Sequence, residues 1–383
     1  MVNAARTNWS QVAISGEDMQ VAATRSATTA APIVFQDVSK RYPGRAQAAV
    51  EDLSFEVPSG EICVLIGPSG CGKTTALKMV NRLIPMTGGD ITIDGKNVNT
   101  IEASQLRRGI GYVFQQIGLF PHLTVEDNIG TVPRLLGWSK ARIRDRALEL
   151  LQLVGLGSED NLRRYPGEFS GGKQQRIGVA RAMAVDPPLM LMDEPFGAID
   201  PITRDRLQDD FLRLHREVRK TIIFVTHDID EAMSMGQRIA ILREGGILAQ
   251  YDTPDAILAY PADDFVAQFI GSGAAVRRLS LLDIRRLRLD EIVVSATDSP
   301  TGRHPVLALD DAERPDRWLH VPGCDVPPPL LTVPLSGTVY DAVDVMLDSK
   351  APLVLVLGEN GEPRGALRWD AMVGDLHGKG SGS

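Results

Sequence analysis

The chain has 383 residues, of which 43% are apolar and 23% charged, with a net charge of −8. That length accommodates two domains, the composition is that of a globular protein, and the acidic balance excludes a nucleic-acid binder that works by bulk electrostatics. Cys63, Cys71 and Cys324 show neither paired nor metal-type spacing, which points to a reduced, intracellular protein. No apolar run approaches the ~20 residues of a membrane helix, so in any membrane process other subunits must do the spanning.

Residues 1–31 are rich in Ala, Thr and Ser, lack the apolar core of a signal peptide, and are expected to form a mobile tail. Ile33 to Val38 alternates apolar and polar residues and predicts a strand. Tyr42 follows, either a half-buried surface aromatic or, ahead of a phosphate-binding loop, a platform on which a base stacks. Leu53 to Val57 and Ile62 to Ile66 predict two more strands. The second runs into Gly67-Pro68-Ser69-Gly70-Cys71-Gly72-Lys73-Thr74-Thr75, then a helical pattern with Ala76, Leu77, Val80, Leu83 and Ile84 on one face. Strand, glycine loop, helix is the context that the G-x-x-x-x-G-K-T spacing needs. The glycines let backbone N–H groups converge on phosphate oxygens, and the helix N-terminus adds its positive end. Lys73 would then reach the β- and γ-phosphates and Thr74 would hold Mg²⁺.

Ile91 to Gly95 reads as a short strand and turn, and Ile110 to Phe114 as a strand ending at Gln115-Gln116. Gln115 is either a surface polar residue or, given the glycine loop, a group that completes Mg²⁺ coordination or orients a water. Ile117, Leu119, Phe120 and Leu123 place apolar side chains in a loop, as a partner surface or within the domain core. Ile143, Ala147, Leu150, Leu151 and Val154 predict an amphipathic helix. Ser170-Gly171-Gly172 opens a second helix with an anion-binding start, so the chain either binds two anions or completes a nucleotide held by another copy. The apolar run Pro188 to Met192 reads as a buried parallel strand that ends in Asp193-Glu194, where α/β sheets bind ligands. Asp193 suits the Mg²⁺ shell and Glu194 the polarising of a water. Phe196 to Asp200 is a turn, and Leu207, Phe211, Leu214 and Val218 mark a helix face. Ile222 to Val225 is a buried-type strand leading to His227, a structural histidine or a hydrogen-bond donor to a γ-phosphate, and Arg238 to Leu242 is one more strand.

From Ile33 to Gly271 these residues together resemble the ATP-binding subunit of an ABC transporter, a P-loop NTPase cassette of mixed sheet plus helical subdomain. The resemblance implies ATP and Mg²⁺ as cofactors. By position it makes Tyr42 the adenine stacker, Gly67 to Thr75 the Walker A loop with the first helical turn, and Gln115 the Q-loop residue. Ser170-Gly171-Gly172 becomes the signature, Asp193 the Walker B acid, Glu194 the catalytic glutamate, Asp200 the D-loop acid and His227 the switch histidine. Phe169 and Lys173 depart from the common Leu-Ser-Gly-Gly-Gln signature, and Ile199 replaces the usual D-loop leucine. The family implies a head-to-tail homodimer in which each signature closes on the other copy's nucleotide. It also implies transmembrane permease subunits, an extracytoplasmic solute-binding protein as indirect partner, no nucleic acid, and a peripheral place on the cytoplasmic face of the plasma membrane. The segments KMVNRL (78–83), QQIGLFP (115–121) and FGAIDPITR (196–204) resemble importers of quaternary amines such as glycine betaine, choline, carnitine and proline betaine. The competing readings are an importer of another small solute and a soluble, non-transport ABC ATPase. The latter usually carries two cassettes or a long coiled-coil insertion, and neither is visible.

The expected cassette covers 32–272. After Gly271-Ser272-Gly273 the composition shifts, which predicts a linker and a small α+β domain over 273–376, with a tail at 377–383. Arg277, Arg278, Arg285, Arg286 and Arg288 interleave with leucines, either as a linker with solvated arginines or as a segment resting on an anionic membrane. Val339, Ala342, Val343, Met346 and Leu347 predict a helix, followed by strands at Leu353 to Leu357 and Gly365 to Trp369. This order resembles one CBS (cystathionine β-synthase type) motif. A partner motif over 280–325 has no visible middle helix, so a reduced CBS pair with a regulatory role is the expectation.

Overall fold

The structure is a computed structural model that describes residues 30–114, 118–197, 199, 201–271, 273–295, 303–370 and 372. The described residues form two compact units: 30–36 with Glu56–Glu61 and those within Leu77–Ile223, and Asp37–Phe55 with Ile62–Ala76 and those from Phe224 to Met372. A four-stranded sheet joins β1 (Ile33–Lys40), β2 (Val50–Val57), β4 (Gly88–Ile93) and β5 (Lys96–Asn97) in the order β2-β1-β4-β5. A six-stranded sheet joins β3 (Ile62–Ile66), β6 (Ile110–Val113), β7 (Leu189–Asp193), β8 (Thr221–Val225), β9 (Arg238–Arg243) and β10 (Ile247–Asp252) in the order β10-β9-β3-β8-β7-β6. Every residue of β3, β7 and β8 is buried, as continuous apolar runs are in a parallel sheet covered on both faces. β3 runs parallel to β9, with Cys63 opposite Arg238 and Ile66 opposite Ile241. β6 runs parallel to β7. β8 advances in step with β3 through Ile222 N–H to Glu61 O (3.0 Å) and Thr226 N–H to Leu65 O (3.3 Å).

The helix after β3 spans Lys73–Val80. The expected apolar face ran on to Ile84, but Arg82 turns left-handed at φ 55° and Leu83 is 49% exposed. Leu83 and Ile84 both donate back to Lys78 O, which closes the helix before Pro85. The strand expected through Phe114 stops at Val113, leaving Phe114 44% exposed. Helix Lys140–Leu153 forms as its spacing predicts, capped by Ser139 and burying Ile143, Ala147, Leu150 and Leu151. Helices Gly171–Ala182 and Pro201–Val218 follow. Among the described residues no helix is long and apolar enough to cross a membrane.

Where a linker was expected the structure has a helix, Ala274–Leu281. Arg277 donates to Asp230 (2.5 Å) and to Ile270 O (2.8 Å), Arg278 to Asp255 (3.0 Å) and Arg285 to Asp283 (2.9 Å). Arg277 and Arg278 are thereby paired with acids from other elements, whereas Arg285, paired with Asp283 two residues away, stays 62% exposed. Leu279, Leu282, Leu287 and Leu289 pack on the core formed by Val333, Val339, Val354, Val356 and Leu367. Beyond it lie two three-stranded sheets. One joins β11 (Val293–Val294), β12 (Val306–Leu309) and β13 (Pro315–His320); the other joins β14 (Thr332–Pro334), β15 (Leu353–Leu357) and β16 (Pro363–Arg368). In both, the first strand is parallel to the second and the second antiparallel to the third. Helix Val339–Ser349 joins β14 to β15 and buries Val339, Ala342, Val343 and Met346. Leu347, expected on that face, is instead 62% exposed.

Candidate nucleotide-binding site

Steric fit defines the loop after β3. A Cβ on Gly67 (φ 156°) would stand 2.2 Å from Leu242 O, and one on Gly72 (φ 112°) 2.2 Å from Ala49 O. The loop is therefore wedged between the end of β9 and the start of β2, and only hydrogen fits at either point. Gly70 faces open space, so φ 81° alone requires glycine there. Lys73 opens the helix and curls its buried ammonium back to Gly67 O (2.7 Å), Pro68 O (3.0 Å) and Cys71 Sγ (3.9 Å). Those acceptors are carbonyls and a thiol, so none of these three contacts neutralises the lysine's charge. Burial pushes the Cys71 thiol up, against the pull of Lys73, and keeps it neutral. Ser69 and Pro68 complete the turn, and Thr74 and Thr75 stand in the first helical turn.

Two further expected residues flank this loop. Ala49 N–H closes onto Lys40 O (2.7 Å), so the Lys40-to-Ala49 loop that carries Tyr42 has its base against Gly72. The Tyr42 ring is 37% exposed, with the Lys40 ammonium 5.1 Å from its centre. β8 ends beside β3 on the same edge, and exposed His227 sits two residues past its end. It is held between buried Thr226, whose Oγ1 accepts from Asp228 N–H (3.0 Å), and Asp228, which caps helix Ile229–Met235.

In the other unit β7 ends in buried Asp193. Glu194 then adopts φ 45° and accepts from Gly197 N–H (3.2 Å). A left-handed glutamate is uncommon and gathers at functional sites, because packing must hold it there. Ser170 is the N-cap of helix Gly171–Ala182, yet its side chain makes no capping bond. Its hydroxyl and the N–H groups of exposed Gly171 and half-buried Gly172 remain at a helix N-terminus. Phe169 is buried with the Arg164 guanidinium 4.2 Å over its ring, which explains how it replaces a leucine. Lys173 is exposed. Gln115, Ile117 and Asp200 lie outside the described residues.

Sequence reasoning passed over two residues that shape the loop beyond Gln115. Fully buried Asn128 accepts from Phe120 N–H (2.8 Å) and donates to Phe120 O, Leu123 O and Thr124 O. Arg181, on the signature helix, donates to Gly118 O at 2.6 Å. Neither stands in a motif, and each is informative only once the fold brings a loop to it.

A glycine loop closed on a buried lysine, with an acid pair ending a buried parallel strand, defines a P-loop ATPase. Residues 50–197 match the ABC transporter family model. The chain is 53% identical over 282 residues to the osmoprotectant import ATP-binding protein OsmV of Salmonella typhimurium, covering 73% of this chain and 74% of that protein. It is 54% identical over 252 residues to the glycine betaine/carnitine/choline transport ATP-binding protein OpuCA of Bacillus subtilis, covering 66% of this chain and 65% of that one. The dimeric post-hydrolysis structure of the ATP-binding cassette MJ0796, bound to ADP and Pi, superposes with a TM-score of 0.51 at 33% identity. That match covers 58% of this chain and 98% of the other. The chain belongs to the ABC transporter ATP-binding proteins. It binds ATP and hydrolyses it.

Proposed function

We propose that this chain energises import of a quaternary-amine compatible solute (glycine betaine, choline, carnitine or proline betaine) through membrane-spanning permease subunits. The observation that carries it is the glycine loop closed around Lys73, in a chain whose relatives include ATP-binding proteins for osmoprotectant import and for glycine betaine, carnitine and choline transport. In this reading Lys73 and the loop N–H groups hold the β- and γ-phosphates. Thr74, Asp193 and Gln115 hold Mg²⁺; the first two offer the hydroxyl and carboxylate oxygens that a hard cation prefers. Glu194 polarises the attacking water, His227 steadies the γ-phosphate, Tyr42 stacks on adenine, and Asp200 borders the dimer interface. Ser170, Gly171 and Gly172 close on the nucleotide of a second copy. The permease contact is supported by a groove of about 760 Å³. Exposed Phe114 and Phe120 line it, and Leu135 and Leu136 nearby in sequence are exposed too. Apolar side chains left outside in this way suit a protein partner. Residues 32–272 form the cassette, 273–376 a CBS-like regulatory region, and the subunit works at the cytoplasmic face of the membrane, served indirectly by a solute-binding protein.

The test is uptake of labelled glycine betaine, choline and carnitine into proteoliposomes holding the permease, the binding protein and this chain. ATP-dependent accumulation of at least one of the three is expected, with loss when Lys73 is changed to Ala. ATP hydrolysis without uptake of any quaternary amine would replace this reading with an importer of another small solute.

A further inference from the structure

Under the signature helix lies a second cleft, of about 270 Å³. Its walls are the end of helix Lys140–Leu153, helix Gly171–Ala182, Phe196 and helix Pro201–Val218. The floor is apolar, formed by Val179, Phe196, Phe211 and Leu214, with the two phenylalanine rings 6.3 Å apart in an edge-on arrangement. Gln175 also lines it, is only 3% exposed, and its Nε2 has no hydrogen-bond partner. Buried amide donors are nearly always satisfied, so this one calls for an acceptor oxygen from outside the chain. The mouth carries balanced charge: Asp210 is paired with both Arg176 and Arg213, and Glu217 adds a second acid.

We propose that this cleft binds a small N-methylated zwitterion of the glycine betaine class. One carboxylate oxygen takes the Gln175 Nε2–H, and the methylated ammonium lies against the aromatic floor, where a cation is attracted to ring faces. A mouth of equal positive and negative charge admits a molecule that carries one of each. At ~30 Å³ per water the space equals roughly nine water molecules, enough for such a solute. The choice of zwitterion rests on the quaternary-amine reading above. The cleft shares its walls with the helix that starts at Ser170 and with Phe196, two residues beyond Glu194. Accumulated solute would thus act directly on the parts that hydrolyse ATP.

The experiment is calorimetric titration of the purified full chain with glycine betaine, and with choline, which lacks the carboxylate. Saturable betaine binding is expected, with choline at least about tenfold weaker, because its neutral hydroxyl replaces a charged carboxylate acceptor at the buried donor. Gln175→Leu keeps the volume, removes the donor, and should weaken betaine about tenfold by the same reasoning. Leu214→Trp fills the cleft and should abolish binding. Circular dichroism and ATP affinity check that both variants are folded, and Gln175→Leu carries the test if Leu214→Trp is not. Absence of saturation, equal binding of choline and betaine, or unchanged affinity in the folded variants overturns the proposal. Betaine uptake without betaine binding to the isolated chain overturns this site alone; binding without uptake overturns only the cargo assignment.

Discussion

Glu194 is the residue at which chemistry and backbone meet. Its position past a buried strand was legible in the sequence, because an apolar run ending in two acids has few other meanings. Its φ of 45° was not, since nothing in a glutamate announces a left-handed backbone. Holding it there costs on the order of 1–2 kcal/mol, which the surrounding turn must supply. Glu194→Gln leaves that backbone and shape in place and removes only the charge that, in the proposed role, polarises water. Phosphate release should fall by ~10²–10⁴ while ATP binding persists. Near-normal turnover in purified protein would mean that Glu194 is not the base. The glycines of the loop make the opposite case, for there residue identity and conformation are one. Gly72→Ala places a methyl against Ala49 O at a φ that L-residues avoid, so loss of ATP binding, read by equilibrium binding, is expected.

Elements were legible where their period was unbroken. β3, β7 and β8 and helix Lys140–Leu153 follow the apolar pattern closely. Their ends were less legible, as at Val80 and Val113, because termination depends on a turn and a neighbour rather than on hydropathy. In the loop before helix Val125–Ile129, residues 118–124 follow no hydropathy pattern and rest on side-chain contacts from outside the segment. Buried Asn128 supplies four hydrogen bonds to its backbone, and no spacing rule finds such a residue. Asn128→Leu strands Phe120 N–H and Leu123 O, while Phe120 O keeps the Leu123 N–H and Thr124 O keeps the backbone N–H of residue 128. Even with partial recovery by water, a loss of about 2–4 kcal/mol is expected, seen as a lower midpoint in urea unfolding. The loop presents Phe120 to the groove, so ATPase stimulation by reconstituted permease should fall further than ATP affinity does. An unchanged unfolding midpoint would show that the loop does not need this anchor.

At the scale of the whole molecule, the family was legible from motifs spread between Tyr42 and His227, and the relatives agree on that family. The C-terminal region was legible only in its second half, where helix Val339–Ser349 gives a periodic signal between two strands. The first half lacks that signal: β11 is two residues long and exposed, and only the repeated strand order relates it to the second sheet. The larger question left by one chain is why it carries two phosphate-type helix starts. Lys73 heads one, and Ser170, with its hydroxyl unspent on capping, heads the other. In a head-to-tail homodimer each nucleotide lies between the Lys73 of one copy and the Ser170 of its partner. Mixing a Lys73→Ala chain with a Ser170→Arg chain then places both lesions in one site of the heterodimer and leaves its other site whole. Each variant alone should be inactive. A random equal mixture should recover up to about a quarter of wild-type hydrolysis, since half the dimers are mixed and each has one intact site. If both phosphate contacts were made within one chain, every site in the mixture would carry a lesion, and mixing would restore nothing.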